Sequence, residues 1–296
     1  MPNLKEVKNR ITSVMSTQQI TKAMKMVAAA KLRKSQERIT QMRPFAQKLA
    51  DILKNLSAAQ TDADGDNWYS KVREEKNVLI IAVSSDRGLC GSFNSSVIKG
   101  VLRLIEEKYA AQYAKGHVTI LPVGRKALEY FAKRKFPVVA DYAGLFSALT
   151  FENVSAAAEY AMKSFQTGKF DKVEIVYNEF KNVATQILRT EQMLPVVAPE
   201  AGSTTDSNQI DYIYQPNQEE IIEGLIPKSL KVQVFKALLD SNAAENGARM
   251  TAMDKATDNA GELLKQLKLT YNRTRQAAIT KEILEIVGGA EALKSA

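Results

Sequence analysis

"TKAMKMVAAAKLRKSQERI", residues 21–39, has the composition of a helix but no single apolar face. At about 100° per residue, its apolar side chains point in almost every direction and its cations lie between them. The apolar set is Ala23, Met24, Met26, Val27, Ala28, Ala29, Ala30 and Leu32, and the cations are Lys22, Lys25, Lys31, Arg33, Lys34 and Arg38. A surface helix shows one apolar stripe, and a fully buried helix does not contain so many cations. We therefore predict that one side faces a partner helix and that the other sides face a sleeve of surrounding protein.

The residues before this stretch indicate a coiled coil. Leu4, Val7, Ile11 and Val14 are spaced by three and four residues, which predicts an apolar seam. The register is expected to slip through the polar residues 16–19. About fifty helical residues, at roughly 1.5 Å each, would reach about 80 Å. A bend is expected near Pro44, because proline removes a backbone donor.

The C-terminal segment repeats this pattern. Apolar and small residues step mostly by threes and fours at Phe235, Leu238, Asn242, Met253, Ala256, Ala260, Leu263, Leu267, Tyr271, Thr274 and Ala278. Gly288 and Gly289 supply a stop signal, and Pro227 leaves the start of the helix open. Two long helices at opposite ends of one chain, each with an apolar seam, are predicted to pair antiparallel.

The middle of the chain has the alternating rhythm of an α/β domain. Strands are predicted at 76–86, 117–124, 136–142 and 172–180, with helices between them, and later strands or extended returns at 185–196 and 210–216. This order predicts a mostly parallel, Rossmann-like sheet. The fold class is therefore α/β, with a long antiparallel two-helix coiled coil. Its predicted parts are an N-terminal helix (1–56), an α/β domain (57–227) and a C-terminal helix (228–296).

Charge is distributed unevenly along the chain. The net charge is +8. Residues 1–56 contain 12 Lys and Arg against 3 Asp and Glu, which is +9; residues 57–227 contain 18 against 22, which is −4; residues 228–296 contain 11 against 8, which is +3. Basic ends indicate an acidic partner, either nucleic acid or an acidic protein surface. Residues 1–43 contain no aromatic side chain for base stacking, which favours the protein surface.

The best candidate for a ligand site is "SSDRGLCGSFN", residues 84–94, between the first strand and the first helix of the α/β domain. Its G-x-x-G at Gly88 and Gly91 matches neither the dinucleotide fingerprint nor the P-loop. A tight turn that packs Leu89, Cys90 and Phe93 is favoured, and a nucleotide-binding enzyme is the alternative. Since Cys90 and His117 are the sole cysteine and histidine, no catalytic residue, metal site or cofactor site is expected. The single cysteine also fits a reducing compartment.

Three long segments together resemble the gamma subunits of F-type ATP synthases. They are ITSVMSTQQITKAMKMVAAAKLRKSQ (11–36), SSDRGLCGSFN (84–94) and ENGARMTAMDKATDNAGELLKQLKLTYNRTRQAAITKEILEIVGGAEAL (245–293). The resemblance covers almost the whole chain. It implies a non-catalytic central stalk inside a ring of alpha and beta subunits, with the α/β domain beside the epsilon subunit and the c ring.

The resemblance also implies roles for individual residues and a location. Arg275, Gln276 and Thr280 match residues that engage loops of the beta subunit, and Met24 and Lys25 match the shaft segment beside its acidic lever. Ile283, Ile286 and Val287 match an upper bearing. The loop 198–208 lacks the cysteine pair of the thiol-regulated chloroplast form. No run is apolar enough to cross a bilayer, so the expected location is the cytoplasmic face of a bacterial inner membrane, as a peripheral subunit, without nucleic acid.

Overall fold

A computed structural model describes residues 3–58, 68–196 and 218–294. Two long helices lie at its ends, α1 (Leu4–Ala58) and α6 (Gln218–Lys294). The strands are β1 (Val78–Val83), β2 (Val118–Val123), β3 (Lys172–Phe180) and β4 (Gln186–Leu194). The shorter helices are α2 (Phe93–Lys108), α3 (Ala110–Ala114), α4 (Arg125–Lys133) and α5 (Phe151–Gln166).

The chain divides into two compact units. One contains Met1–Ala28 and Met250–Ala296, and the other contains Ala29–Arg249. We call the first the helix-pair unit and the second the α/β unit. The predicted boundaries near residues 56 and 228 are drawn on sequence pattern and stay a prediction.

The α/β unit is built on a four-stranded sheet in the order β2-β1-β3-β4. β1 pairs parallel with β2 and β3, while β4 runs antiparallel to β3. Every residue of β1 is buried because apolar side chains cover both faces of the sheet. One face packs against α5 and the first part of α6, around Leu79, Ile81 and Phe165. The other packs against α2 and α4, around Ile80 and Phe131. The predicted α/β fold class is thus confirmed, and the sheet, predicted to be mostly parallel, is a mixed one in which β4 is the antiparallel strand.

Two buried polar side chains of β3 attach α2 to the sheet. Asn178 donates its amide to the carbonyl oxygen of Phe93, at the start of α2 (3.1 Å). At the other end, the hydroxyl of Tyr109 donates to Glu174 (2.6 Å). Burial raises the pKa of Tyr109, and the adjacent carboxylate raises it further, so this hydroxyl stays a donor at physiological pH. Polar residues in a buried strand thereby fix the position of a helix.

The prediction of a strand at 136–142 is wrong. The segment makes a single parallel bridge, between Ile120 and Val138, and then enters a 3₁₀ helix at Ala140–Tyr142. Pro137 has no backbone N–H to donate, which limits the segment's pairing with β2. The predicted strand at 185–196 is confirmed as β4, whereas 198–208 and 210–216 lie outside the described residues.

The two prolines do not end the long helices. α1 continues as one helix through Pro44, and α6 begins at Gln218 and continues through Pro227. The C-terminal helix therefore starts about ten residues earlier than its sequence pattern predicted. Each proline removes one backbone donor from its helix. In the α/β unit the side chains around Pro227 are held by packing, with Ile226 and Leu230 buried in the core.

Candidate functional site: the helix pair and its exposed flanks

The two long helices run antiparallel within the helix-pair unit. Gln18 donates to the carbonyl oxygen of Thr257 (3.4 Å), and Lys25 pairs with Asp254 (2.5 Å). Positions further along α1 therefore meet positions earlier along α6. The predicted antiparallel pairing of the chain ends is confirmed.

The predicted slip of register at residues 16–19 is wrong. The inward positions of α1 keep the spacing of three and four throughout the unit, at Leu4, Val7, Ile11, Val14, Gln18, Thr21, Lys25 and Ala28. The pattern was hidden because three successive seam positions are polar. The physical reason they lie inward is that each has a partner on α6 or on its own backbone.

Three polar contacts form this part of the seam. Two are the contacts of Gln18 with Thr257 and of Lys25 with Asp254 given above. The Thr21 and Thr257 hydroxyls lie 2.8 Å apart. The side chain of Gln18 is also the nearest neighbour of Gly261, where an added methyl group would lie 3.0 Å from the amide nitrogen. A small residue here lets the two helices approach closely. Thr257 and Asp254 were not singled out from the sequence, although continuing the spacing of three and four through Lys25 would have indicated such partners.

Lys25 faces its own chain. Its ammonium lies against the Asp254 carboxylate, and the two side chains are 39% and 48% exposed. The predicted contact of Lys25 with another subunit therefore competes with the ion pair that Lys25 makes with Asp254. Met24, its neighbour, is half-buried.

Reversing one member of this pair is expected to weaken the helix pair. Lys25→Glu places two carboxylates together, and we expect a loss of stability of about 0.5–1 kcal/mol, small because both groups are partly solvated. The double variant Lys25→Glu/Asp254→Lys should recover most of that loss. Urea unfolding of the four combinations, analysed as a double-mutant cycle, measures the coupling. Equal unfolding midpoints for the single and double variants would contradict the pairing.

The flanks of the seam expose large apolar side chains. On α1 these are Met15, Ile20, Met26 and Val27, which are 47–60% exposed, and on α6 they include Leu263 and Leu269. Leu263 was predicted as a seam residue, but it is on the flank, and Leu264 takes the seam position beside buried Ala260 and Leu267. Large apolar side chains exposed on more than one side of a helix pair fit a surface that other protein covers.

The last part of α6 is exposed to solvent. Every residue from Ile279 to Glu291 is exposed. Ile283, Ile286 and Val287 are 54%, 72% and 54% exposed. Arg275, Gln276 and Thr280 are exposed as well, and the Thr280 hydroxyl donates to the Gln276 carbonyl oxygen of the preceding turn (2.9 Å). Arg275, Gln276, Thr280 and the predicted bearing residues thus share one accessible length of α6, whereas Met24 and Lys25 lie on α1.

The glycine-containing turn at 84–94 is braced by its own side chains. Asn94 accepts the backbone N–H of Ser85 (2.9 Å), and Cys90 and Phe93 are buried, as predicted. Leu89 was expected to pack in this turn, but it is 65% exposed. Burial raises the pKa of the Cys90 thiol, which disfavours a thiolate nucleophile.

The described residues offer few other candidates for a catalytic or metal site. His117 is exposed. Within residues 3–58, 68–196 and 218–294 no group of three or more His, Cys, Asp or Glu side chains could hold a metal ion. Across the same residues, no helix is long and apolar enough to span a membrane.

Comparison with known proteins identifies the family. A family model described as ATP synthase matches residues 3–293. The ATP synthase gamma chain of Cytophaga hutchinsonii is 57% identical over 296 residues, covering 100% of both chains. This chain belongs to the ATP synthase gamma-chain family. The gamma chain of Chlorobaculum tepidum is 50% identical over 294 residues, covering 99% of this chain and 100% of its own.

Solved structures agree with that membership. A chain in the Tetrahymena thermophila mitochondrial ATP synthase central stalk and c-ring has 27% identity and a TM-score of 0.57, over 80% of this chain and 99% of its own. A chain of the Euglena gracilis mitochondrial ATP synthase has 22% identity and a TM-score of 0.68, over 98% of this chain and 94% of its own, and supports the fold. The fold of the Euglena gracilis ATP synthase chain therefore extends over nearly all of this sequence.

Proposed function

We propose that this chain is the non-catalytic rotor of an F-type ATP synthase, linking rotation of a membrane c ring to ATP synthesis or hydrolysis on beta subunits. The observation that supports it is the pattern of the helix pair. Polar and apolar contacts close the seam, while large apolar side chains remain exposed on the flanks. A free-standing coiled coil would bury such side chains and expose charge.

The alpha and beta subunits are the proposed cover for these flanks, and the epsilon subunit and c ring are the proposed neighbours of the α/β unit. The basic N-terminal helix fits an acidic protein surface, which the gamma-chain family supports over nucleic acid. Arg275, Gln276, Thr280, Met24 and Lys25 are the proposed contacts with beta. Lys25 would make that contact from an ammonium already paired with Asp254.

Rotation of the helix pair would act on the beta subunits by changing which residues contact them. Each orientation of the helix pair offers a different set of flank residues to a given beta subunit, so each orientation favours one of its open, loose and tight conformations. The last turns of α6, with Ile283, Ile286 and Val287 exposed, would form the upper bearing, where apolar contact gives little directional resistance. The proposed location is the cytoplasmic face of a bacterial inner membrane.

Flank and seam variants test this assignment. Ile20, Met26 and Val27 are 57–60% exposed, so replacing all three with aspartate should leave the chain folded. We expect native co-purification with alpha and beta subunits to fall about tenfold or more, because several apolar contacts worth roughly 1 kcal/mol each are lost. Undiminished recovery of the alpha and beta subunits by the triple variant would count against the sleeve.

A matched control replaces a seam residue. Val7 is 5% exposed, so Val7→Asp should lower helicity measured by circular dichroism as well as recovery, whereas the flank variant should lower recovery alone. A chain that binds nucleic acid in place of these subunits would show a steep salt-dependent gel shift, and that result would contradict the rotor assignment.

A further inference from the structure

The loop of residues 86–91, between β1 and α2, holds a leucine in an unfavourable backbone conformation. Leu89 has φ +64° and is 65% exposed. A left-handed backbone costs a non-glycine residue about 1–2 kcal/mol. Such a residue persists when its surroundings fix it in place. Part of what fixes the residues next to Leu89 lies within the loop, where the Ser85 hydroxyl donates to the Arg87 carbonyl oxygen (2.7 Å), and part lies on α6.

Arg249 holds the two carbonyl groups just before Leu89. Its guanidinium donates to the Gly88 oxygen (2.5 Å) and to the Arg87 oxygen (3.3 Å). Glu245, one turn earlier on α6, pairs with the same guanidinium, and the two side chains are 14% and 13% exposed. Hydrogen bonds from a charged guanidinium are among the stronger ones in proteins. Arg249 therefore ties the loop to α6.

Glu245 orients Arg249. Burial raises the pKa of Glu245, and its contact with Arg249 opposes that rise. Each charge is therefore stabilised in its largely buried position by the other. Below the loop, Cys90 and Phe93 pack against Ala244 and Ala248 on the same helix, so the loop and residues 244–249 of α6 form one packed body.

We propose that Arg249, oriented by Glu245, is a positioning residue that fixes the 86–91 loop to α6, so that displacement of α6 at residues 245–249 is transmitted to the exposed Leu89. The attachment of the loop to α6 lies within this chain and does not require assembly with other subunits. Transmission deepens the rotor function proposed above and rests on it, because it needs a torque applied to α6.

The sole cysteine of the chain reports on the loop. Cys90 is 1% exposed, so a thiol reagent such as DTNB should react when the loop opens. In the full-length chain, Arg249→Met removes the donors at similar length. We expect the labelling rate to rise about tenfold or more, since losing charge-assisted hydrogen bonds corresponds to roughly that factor. An unchanged rate would overturn the proposal.

Two further variants separate positioning from general loosening. Arg249→Lys keeps a cation and should recover most of the protection. Lys231→Met breaks another ion pair of α6, with Glu159 at 2.6 Å, and should leave the labelling rate unchanged. Thermal unfolding followed by circular dichroism is measured on every variant. If Lys231→Met raises the rate as much as Arg249→Met does, or if the rate follows the unfolding midpoint, the positioning role is overturned.

Transmission is tested in the assembled complex. Arg249→Met is expected to lower ATP-driven ion pumping more than ATP hydrolysis. Unchanged pumping together with faster labelling would overturn transmission while leaving the fixed loop intact. Failure of the unmodified chain to assemble would count against the rotor function, and the labelling result would not depend on it.

Discussion

A cysteine placed at Arg275 is expected to stop ATP turnover once it is cross-linked to the beta subunit. Arg275 is exposed on α6, outside the buried seam formed by Ala260 and Leu267. If the helix pair turns inside a ring, a covalent bond between rotor and ring blocks every step after the first. We expect turnover to fall in proportion to the fraction of complexes that is cross-linked. It should drop below a few per cent when cross-linking is complete. The assay compares ATP hydrolysis before and after oxidation in a Cys90→Ser background.

Reduction of the cross-link should restore turnover, which separates a blocked rotor from damage by oxidation. Ala260→Cys is the matched control, because Ala260 is 8% exposed in the seam of the same helix and should give little cross-linking to beta. Normal turnover with the Arg275 cross-link intact would contradict the rotor function and leave the fold unaffected.

Local pattern was enough to predict the α/β fold and the pairing of the chain ends. β1 is a continuous apolar run, and a strand buried on both faces has that composition. The segment 136–142 has a similar composition, yet the prediction of a strand there is wrong. The reason is that β-propensity does not show how Pro137 limits pairing with a neighbour. Polar residues that complete a packed surface were also missed, since Asn178 and Glu174 depend on the positions of Phe93 and Tyr109.

The seam shows the limit of apolar periodicity. The spacing that begins at Leu4 continues unbroken, but its later positions are Gln18, Thr21 and Lys25. A polar residue can lie in a seam when its partner is present, and the partners Asp254 and Thr257 are more than two hundred residues away. The exposed apolar residues beside them made the sequence look apolar on all sides. The prediction that protein covers several sides was based on those flank residues, and their exposure agrees with it.

Arg43→Met is expected to be strongly destabilising, because Arg43 is the partner of a fully buried carboxylate. Asp240 is 0% exposed, and it accepts a hydrogen bond from the Arg43 guanidinium (3.1 Å), which also donates to the Phe180 carbonyl oxygen (3.0 Å). The second carboxylate oxygen of Asp240 is buried without a hydrogen-bond partner among the described residues. Removing Arg43 leaves the buried carboxylate without its hydrogen-bonded cation, and we expect a loss of about 2–4 kcal/mol in urea unfolding near neutral pH.

The pH dependence identifies the cause of that loss. Burial raises the pKa of Asp240, and Arg43 opposes the rise. A carboxyl whose pKa is higher in the folded state binds more protons there than in the unfolded chain, so stability falls as pH increases from the ordinary carboxyl range through the folded pKa. Without Arg43 the folded pKa rises further. The deficit of Arg43→Met against the parent chain should therefore be larger at pH 8 than at pH 5.

Adding Asp240→Asn to Arg43→Met should remove that pH dependence and recover much of the stability, because an amide is uncharged at both pH values. If Arg43 acted through the packing of its aliphatic stem alone, the deficit would be equal at pH 5 and pH 8, and the added Asp240→Asn substitution would recover nothing. The two measurements together therefore distinguish loss of a buried ion pair from loss of contact area.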